Sequence, residues 1–125
     1  MMTEVTIKDD RLHVNIRGMD VLWALKSRLV LPLEHVVGAR LDRHLRAEGP
    51  WLGAGRTDAL LDYAVAAGPM TVHGRREFWD VRDPDGAVTI DLVGEPYERL
   101  VVEVRDPAAV MDAVNAAVRA RLAVA

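Results

Sequence analysis

Hydrophobic and polar positions alternate along much of this chain. Val5 and Ile7 share one face against Thr6 and Lys8, and after Asp9-Asp10 the residues Leu12, Val14 and Ile16 alternate with His13, Asn15 and Arg17. Two period-2 runs about a short polar turn predict a β-hairpin with one wet face. Gly18 ends it. Over residues 19–27 the alternation stops, and Met19, Leu22 and Trp23 fall at i, i+3 and i+4. That spacing predicts a short inserted helix, which has to pack on the rest because so few residues do not hold a helix alone. Leu29, Leu31 and Leu33 then line one face of a strand over 28–33, where Pro32 suits an edge or a strand end. A further strand is expected over 35–42, with Gly38 marking a bulge or bend.

Residues 43–57 have no sustained period and hold Gly49-Pro50, Trp51, Gly53 and Gly55, which predicts a long loop with a turn of helix near His44. Residues 59–67 mix helix-favouring Ala and Leu with strand-favouring Tyr63 and Val65, so helix and strand both stay open. Gly68-Pro69 punctuates, Met70–His73 is extended, and Gly74-Arg75-Arg76 reads as a turn. Strands over 77–82, 87–92 and 100–105 are separated by Asp83-Pro84-Asp85-Gly86 and Gly94-Glu95-Pro96, which predicts three consecutive antiparallel strands in a meander. Asp106 as N-cap and Pro107 at the first position start a C-terminal amphipathic helix over 107–122. Val110, Val114 and Val118, flanked by Met111, Ala117 and Leu122, form its apolar stripe, and Arg119 and Arg121 complement its C-terminal dipole.

The plan is α+β, mostly β: about seven short strands, a short early helix and a longer closing one. A sheet of that size has to bury a face by curling into a barrel or folding as a sandwich, and an amphipathic terminal helix suits the open end. Composition fits one domain over residues 1–125, since 125 residues with 50% hydrophobic and 28% charged side chains can bury a core of their own. A formal net charge of −3 argues against a nucleic-acid coat or an anionic-membrane binder. Without cysteine, disulfides, thiolate metal sites and cysteine nucleophiles are excluded. No run approaches the ~18 apolar residues of a spanning helix. Met1–Asp10 is acidic and alternating rather than signal-like, so a cytoplasmic protein is expected.

Three motifs carry a resemblance. Leu22-Trp23 on the short helix, Pro32-Leu33-Glu34-His35-Val36, and Phe78-Trp79-Asp80-Val81 ahead of a Asp106-Pro107 helix resemble bacterial pleckstrin-homology-like (PH-like) proteins. The resemblance covers 18–42 and 76–118 and leaves most of 42–71 unmatched. It implies a PH-like antiparallel β-barrel. It supplies no activity, ligand or catalytic residue.

The search for chemistry returns little. His13, His35, His44 and His73 show no ligand spacing, so no metal site is expected, and Ser27, the only serine, has no nucleophile elbow around it. No cofactor motif is present; Gly53 and Gly55 lack the rest of a phosphate loop. Phosphoinositide binding is disfavoured because two acids interrupt Lys8-Asp9-Asp10-Arg11 at the first hairpin tip. A non-enzymatic binding or protein-interaction module is therefore expected. Its partner would be a protein or a second copy, received at a barrel edge beside the C-terminal helix or by the loop bearing Trp51, Arg43, Arg46 and Arg56. The alternative is a small-molecule binder or enzyme with Asp80, His35 and Tyr63 in a barrel-mouth pocket. There a buried Asp80 would have a raised pKa, whereas with Trp79 and Val81 facing the core it would face water. A further alternative is peripheral membrane association through Met19, Leu22 and Trp23.

Overall fold

The computed structural model describes residues 3–16, 28–42 and 66–124. The hairpin forms where the alternation places it. Strand β1 (Glu4–Lys8) pairs antiparallel with β2 (Arg11–Asn15). The two residues between them have φ of 54° and 59° at Asp9 and Asp10, the left-handed pair whose twist suits a two-residue hairpin. Strand β3 (Arg28–Pro32) completes a three-stranded sheet in the order β1-β2-β3. Leu12, Val14, Leu29 and Leu31 are buried on its inner face.

A 3-10 turn at Leu33–His35 leads into β4 (Val36–Arg40). Register slips between Val36 and Gly38, the bulge expected at the glycine. After β4 come β5 (Ala66–Val72), β6 (Arg75–Val81), β7 (Ala87–Leu92) and β8 (Arg99–Glu103), then the helix α1 (Pro107–Val124). The second sheet runs β4-β7-β8-β6-β5. The protein is thus mixed α+β, mostly strands in two sheets with one C-terminal helix, and the described strands do not close into a barrel. Eight strands stand among the described residues, where about seven were expected for the whole chain, and the short helix over 19–27 lies outside the described residues.

The meander does not form. β8 inserts between β6 and β7, parallel to β6 and antiparallel to β7. The cause is the connection between β6 and β7. Instead of a tight turn it carries a 3-10 turn at Pro84–Gly86, long enough to cross the end of β8. Glu103 at that end accepts from Arg82 N and Asp83 N at 2.8 and 2.9 Å, and Val104 N donates to Gly86 O, so β8 clamps the crossing segment. Two turn boundaries also move. β5 runs through Gly68 and Pro69, which an edge strand tolerates, with Gly68 at φ 101°. The following turn is His73-Gly74, both at positive φ, and Arg75 and Arg76 already belong to β6.

The core lies between the sheets. Phe78, Val88, Ile90, Leu92, Leu100 and Val102 from the second sheet meet the leucines of the first, with Tyr97 tilted against Phe78 and Val114 inserted from α1. The opposite face of the second sheet is buried too, at Trp79, Val81, Ala87 and Val101. Helix α1 starts as the sequence predicts, with Ala109 N donating to Asp106 Oδ1 at 3.1 Å. Val110, Met111, Ala117 and Val118 pack on the core as a stripe, but Leu122 is 62% exposed. A helix of 18 residues is about 27 Å long and outruns the five-residue strand β4 beneath it.

Candidate functional site

The hairpin's turn fixes which backbone groups of β1 are free. A two-residue turn makes Lys8 and Arg11 a hydrogen-bonded pair, and bonded and non-bonded pairs then alternate up the ladder. Thr6 and Glu4 therefore bond to β2, while Val5 and Ile7 turn their N–H and C=O away from it. Thr3 obeys the same parity, since its N–H leaves the hairpin to meet Glu103 O at 3.0 Å. Past Thr3 the two sheets separate. Among the described residues no hydrogen bond reaches the outward groups of Val5 and Ile7. They open into a cleft of about 590 Å³ between residues 3–7 and the first two turns of α1. Val104 gives this cleft an apolar floor, and Ala109, Val110, Ala113 and Val114 line it on the helix side.

The edge at β4 is treated differently. Asn115 projects from α1 onto Ala39, donating from Nδ2 to Ala39 O at 2.9 Å and accepting from Ala39 N at 2.8 Å. One side-chain amide thus completes the ladder where a neighbouring strand would. The edge at β1 has no such cover from α1, although the helix packs beside it.

Asp80 is 3% exposed, and its Oδ2 accepts from Thr3 Oγ1 at 2.5 Å. The choice posed from the sequence, Asp80 inward or Trp79 and Val81 inward, dissolves because both faces of β6 are buried. The Thr3–Asp80 bond anchors the start of β1 to β6, at the head of the cleft. His35 is half-buried, with Nδ1 2.5 Å from Glu95 Oε2, and its carbonyl accepts from Val93 N. It ties the 3-10 turn to the loop after β7. Asp80 is level with Val102 and, through it, Val88, whereas His35 lies beyond Leu92. The sheet sets them apart, at opposite ends of β7. Trp51, Arg43, Arg46, Arg56 and Tyr63 lie outside the described residues, as do Met19, Leu22 and Trp23.

Sequence reasoning missed a row of charges across the outer face of the second sheet. Glu77 on β6 is 0% exposed; it accepts from Trp79 Nε1 at 2.9 Å and pairs with Arg75 and Arg99. Arg99 bonds Asp91 at 3.0 Å, and Asp91 bonds Arg40 at 3.1 Å. The signs alternate from strand to strand, so the row stitches β6, β8, β7 and β4 together. Partial burial works against the charge on Arg40, but hydrogen bonds and attraction from Asp91 and Asp42 prevail and hold its guanidinium above its ordinary pKa. Thr89, beside this row, has a buried Oγ1 with no hydrogen-bond partner among the described residues. The row is saturated by its own members and reads as structural cement.

Among the described residues there is no cluster of three metal-ligating side chains, and no helix is long and apolar enough to cross a membrane. Comparison with known proteins found no family model, no curated protein and no solved structure that matches this chain.

Proposed function

We propose that this chain is a non-enzymatic interaction module that accepts an extended polypeptide segment as an added strand on β1. One observation carries the reading: the outward backbone groups of Val5 and Ile7 face an apolar cleft roofed by α1. An added strand would gain main-chain hydrogen bonds to those two residues and lay alternate side chains against Val104, Val110 and Val114. The small-molecule reading asks Asp80 and His35 to converge, and they are held apart in separate pairs. The PH-like kinship belongs to this proposal. It is supported by the motifs around Trp23, His35 and Trp79 and by a terminal helix packed on mostly antiparallel sheets. The parallel neighbours β6 and β8 are foreign to an up-and-down barrel.

The test is selection of random displayed peptides on the chain, held dilute. Selected peptides are expected to slow hydrogen exchange at the Val5 and Ile7 amides and to lose binding to Val5→Pro. That variant keeps the hairpin, because the Val5 N–H makes no bond to β2. Failure to select any peptide overturns the proposal. So do peptides that leave both amides exchanging as in the free chain.

A further inference from the structure

We propose that the strand received by β1 is β1 of a second copy of this chain, antiparallel and centred on Thr6. The inference rests on the reading of β1 as a strand-accepting edge and names its occupant. The sequence Glu4-Val5-Thr6-Ile7-Lys8 is complementary to itself when reversed. With Thr6 opposite Thr6 of the second copy, Val5 lies opposite Ile7 and Glu4 opposite Lys8, each twice by symmetry. The register obeys the hydrogen-bond parity already present. Val5 and Ile7 carry the outward N–H and C=O groups, so the two Val5–Ile7 pairs become the hydrogen-bonded ones and exchange four bonds. Their side chains meet on the inner face beside the cleft. Glu4, Thr6 and Lys8 are exposed on the other face, where opposite charges directly across a pair of strands attract.

A second observation asks for a carboxylate at that place. Lys8 stands opposite Arg11 across the hairpin, a like-charged pair, and among the described residues neither has an ion-pair partner. Glu4 of the second copy would arrive beside Lys8 and complete the row. The outcome is a two-fold, isologous pairing that joins two three-stranded sheets into one of six strands. A contact of one short strand per copy belongs to the small class of interfaces, under about 1,200 Å² in total, so the dimer dissociates on dilution.

The experiment is sedimentation equilibrium of the full chain from micromolar to millimolar concentration, with Glu4→Lys, Lys8→Glu and their equimolar mixture. The wild type is expected to dimerise reversibly. Each single variant sets like charges opposite each other twice and should weaken self-association about tenfold. The mixture restores both attractive pairs and should dimerise at least as well as the wild type, which controls for any other role of Glu4. A wild type that stays monomeric throughout overturns the proposal, as does a mixture no better than its components. If displayed peptides nonetheless protect the Val5 and Ile7 amides, the second copy is excluded and the strand-accepting edge stands. If they do not, both readings fall.

Discussion

Asn115 occupies an unusual place for its type, the middle of a helix, where asparagine is intrinsically unfavourable. Its replacement by Ala removes two hydrogen bonds to Ala39, a residue only 8% exposed. Each bond is worth about 1 kcal/mol net, and a poorly hydrated orphan donor adds to the loss, so Asn115→Ala should cost about 2–3 kcal/mol. For 125 residues the unfolding entropy is roughly 0.26 kcal/mol/K, so Tm should fall by about 8–12 °C. Gly38 supplies the internal control. A Cβ built there would sit 3.2 Å from Asn115 Oδ1, tighter than ordinary contact. In the wild type the ~0.5–1 kcal/mol that Gly38→Ala gains in strand stability is offset by that push, and the substitution should be nearly neutral. In the Asn115→Ala background the push is gone and Gly38→Ala should stabilise by the full ~0.5–1 kcal/mol. Urea unfolding of the four proteins measures the coupling. An Asn115→Ala variant that loses less than about 2 °C refutes the account. Identical effects of Gly38→Ala in both backgrounds refute it too.

Three further expectations follow from the same structure. Asp10→Gly relieves a positive φ at the position where a two-residue hairpin prefers glycine, and should raise stability by about 0.5–1 kcal/mol in urea unfolding. Thr89→Val swaps a buried hydroxyl that bonds no described residue for a methyl of similar shape, and calorimetry should show a gain of about 1 kcal/mol; a loss would mean that the hydroxyl has a partner. Glu77→Ala removes the bond to Trp79 Nε1 and leaves Arg99, only 19% exposed, with one carboxylate fewer, at a cost of about 3 kcal/mol; a cost under about 1 kcal/mol would show that water reaches this face freely.

Periodicity made some of this legible in advance. The alternation at Leu12, Val14 and Ile16, the bulge at Gly38 and the Asp106-Pro107 start of α1 were all readable, because each is written in a few adjacent residues. Strand order was not. Alternation says which face a residue takes and nothing about its neighbour, so the insertion of β8 between β6 and β7 left no local mark except a long connection. Nothing local marks Glu77 as buried, since carboxylates seldom go inside; its partners Arg75 and Arg99 lie on two different strands. The alternating face of β1 was visible, but its status as an edge that no described strand covers was not. Two signals were available. The two-residue turn at Asp9-Asp10 sets the direction of the Val5 and Ile7 amides, and an asparagine inside a helix hints at a backbone partner.

The place of β8 also orders events in time. Without it the second sheet is two separate strand pairs, β4 with β7 and β5 with β6, their inner strands about 10 Å apart with a gap one strand wide. Both sides of that gap are unsatisfied, and the hydrophobic layer over Phe78, Val88 and Ile90 has no continuous floor. Because β8 is the last of the described strands, a nascent polypeptide cannot close this sheet until Arg99–Glu103 has cleared the ribosome. Folding is then a late, non-local step, slow for a chain of this size, and the interval before it is when open edges invite association with the wrong neighbour.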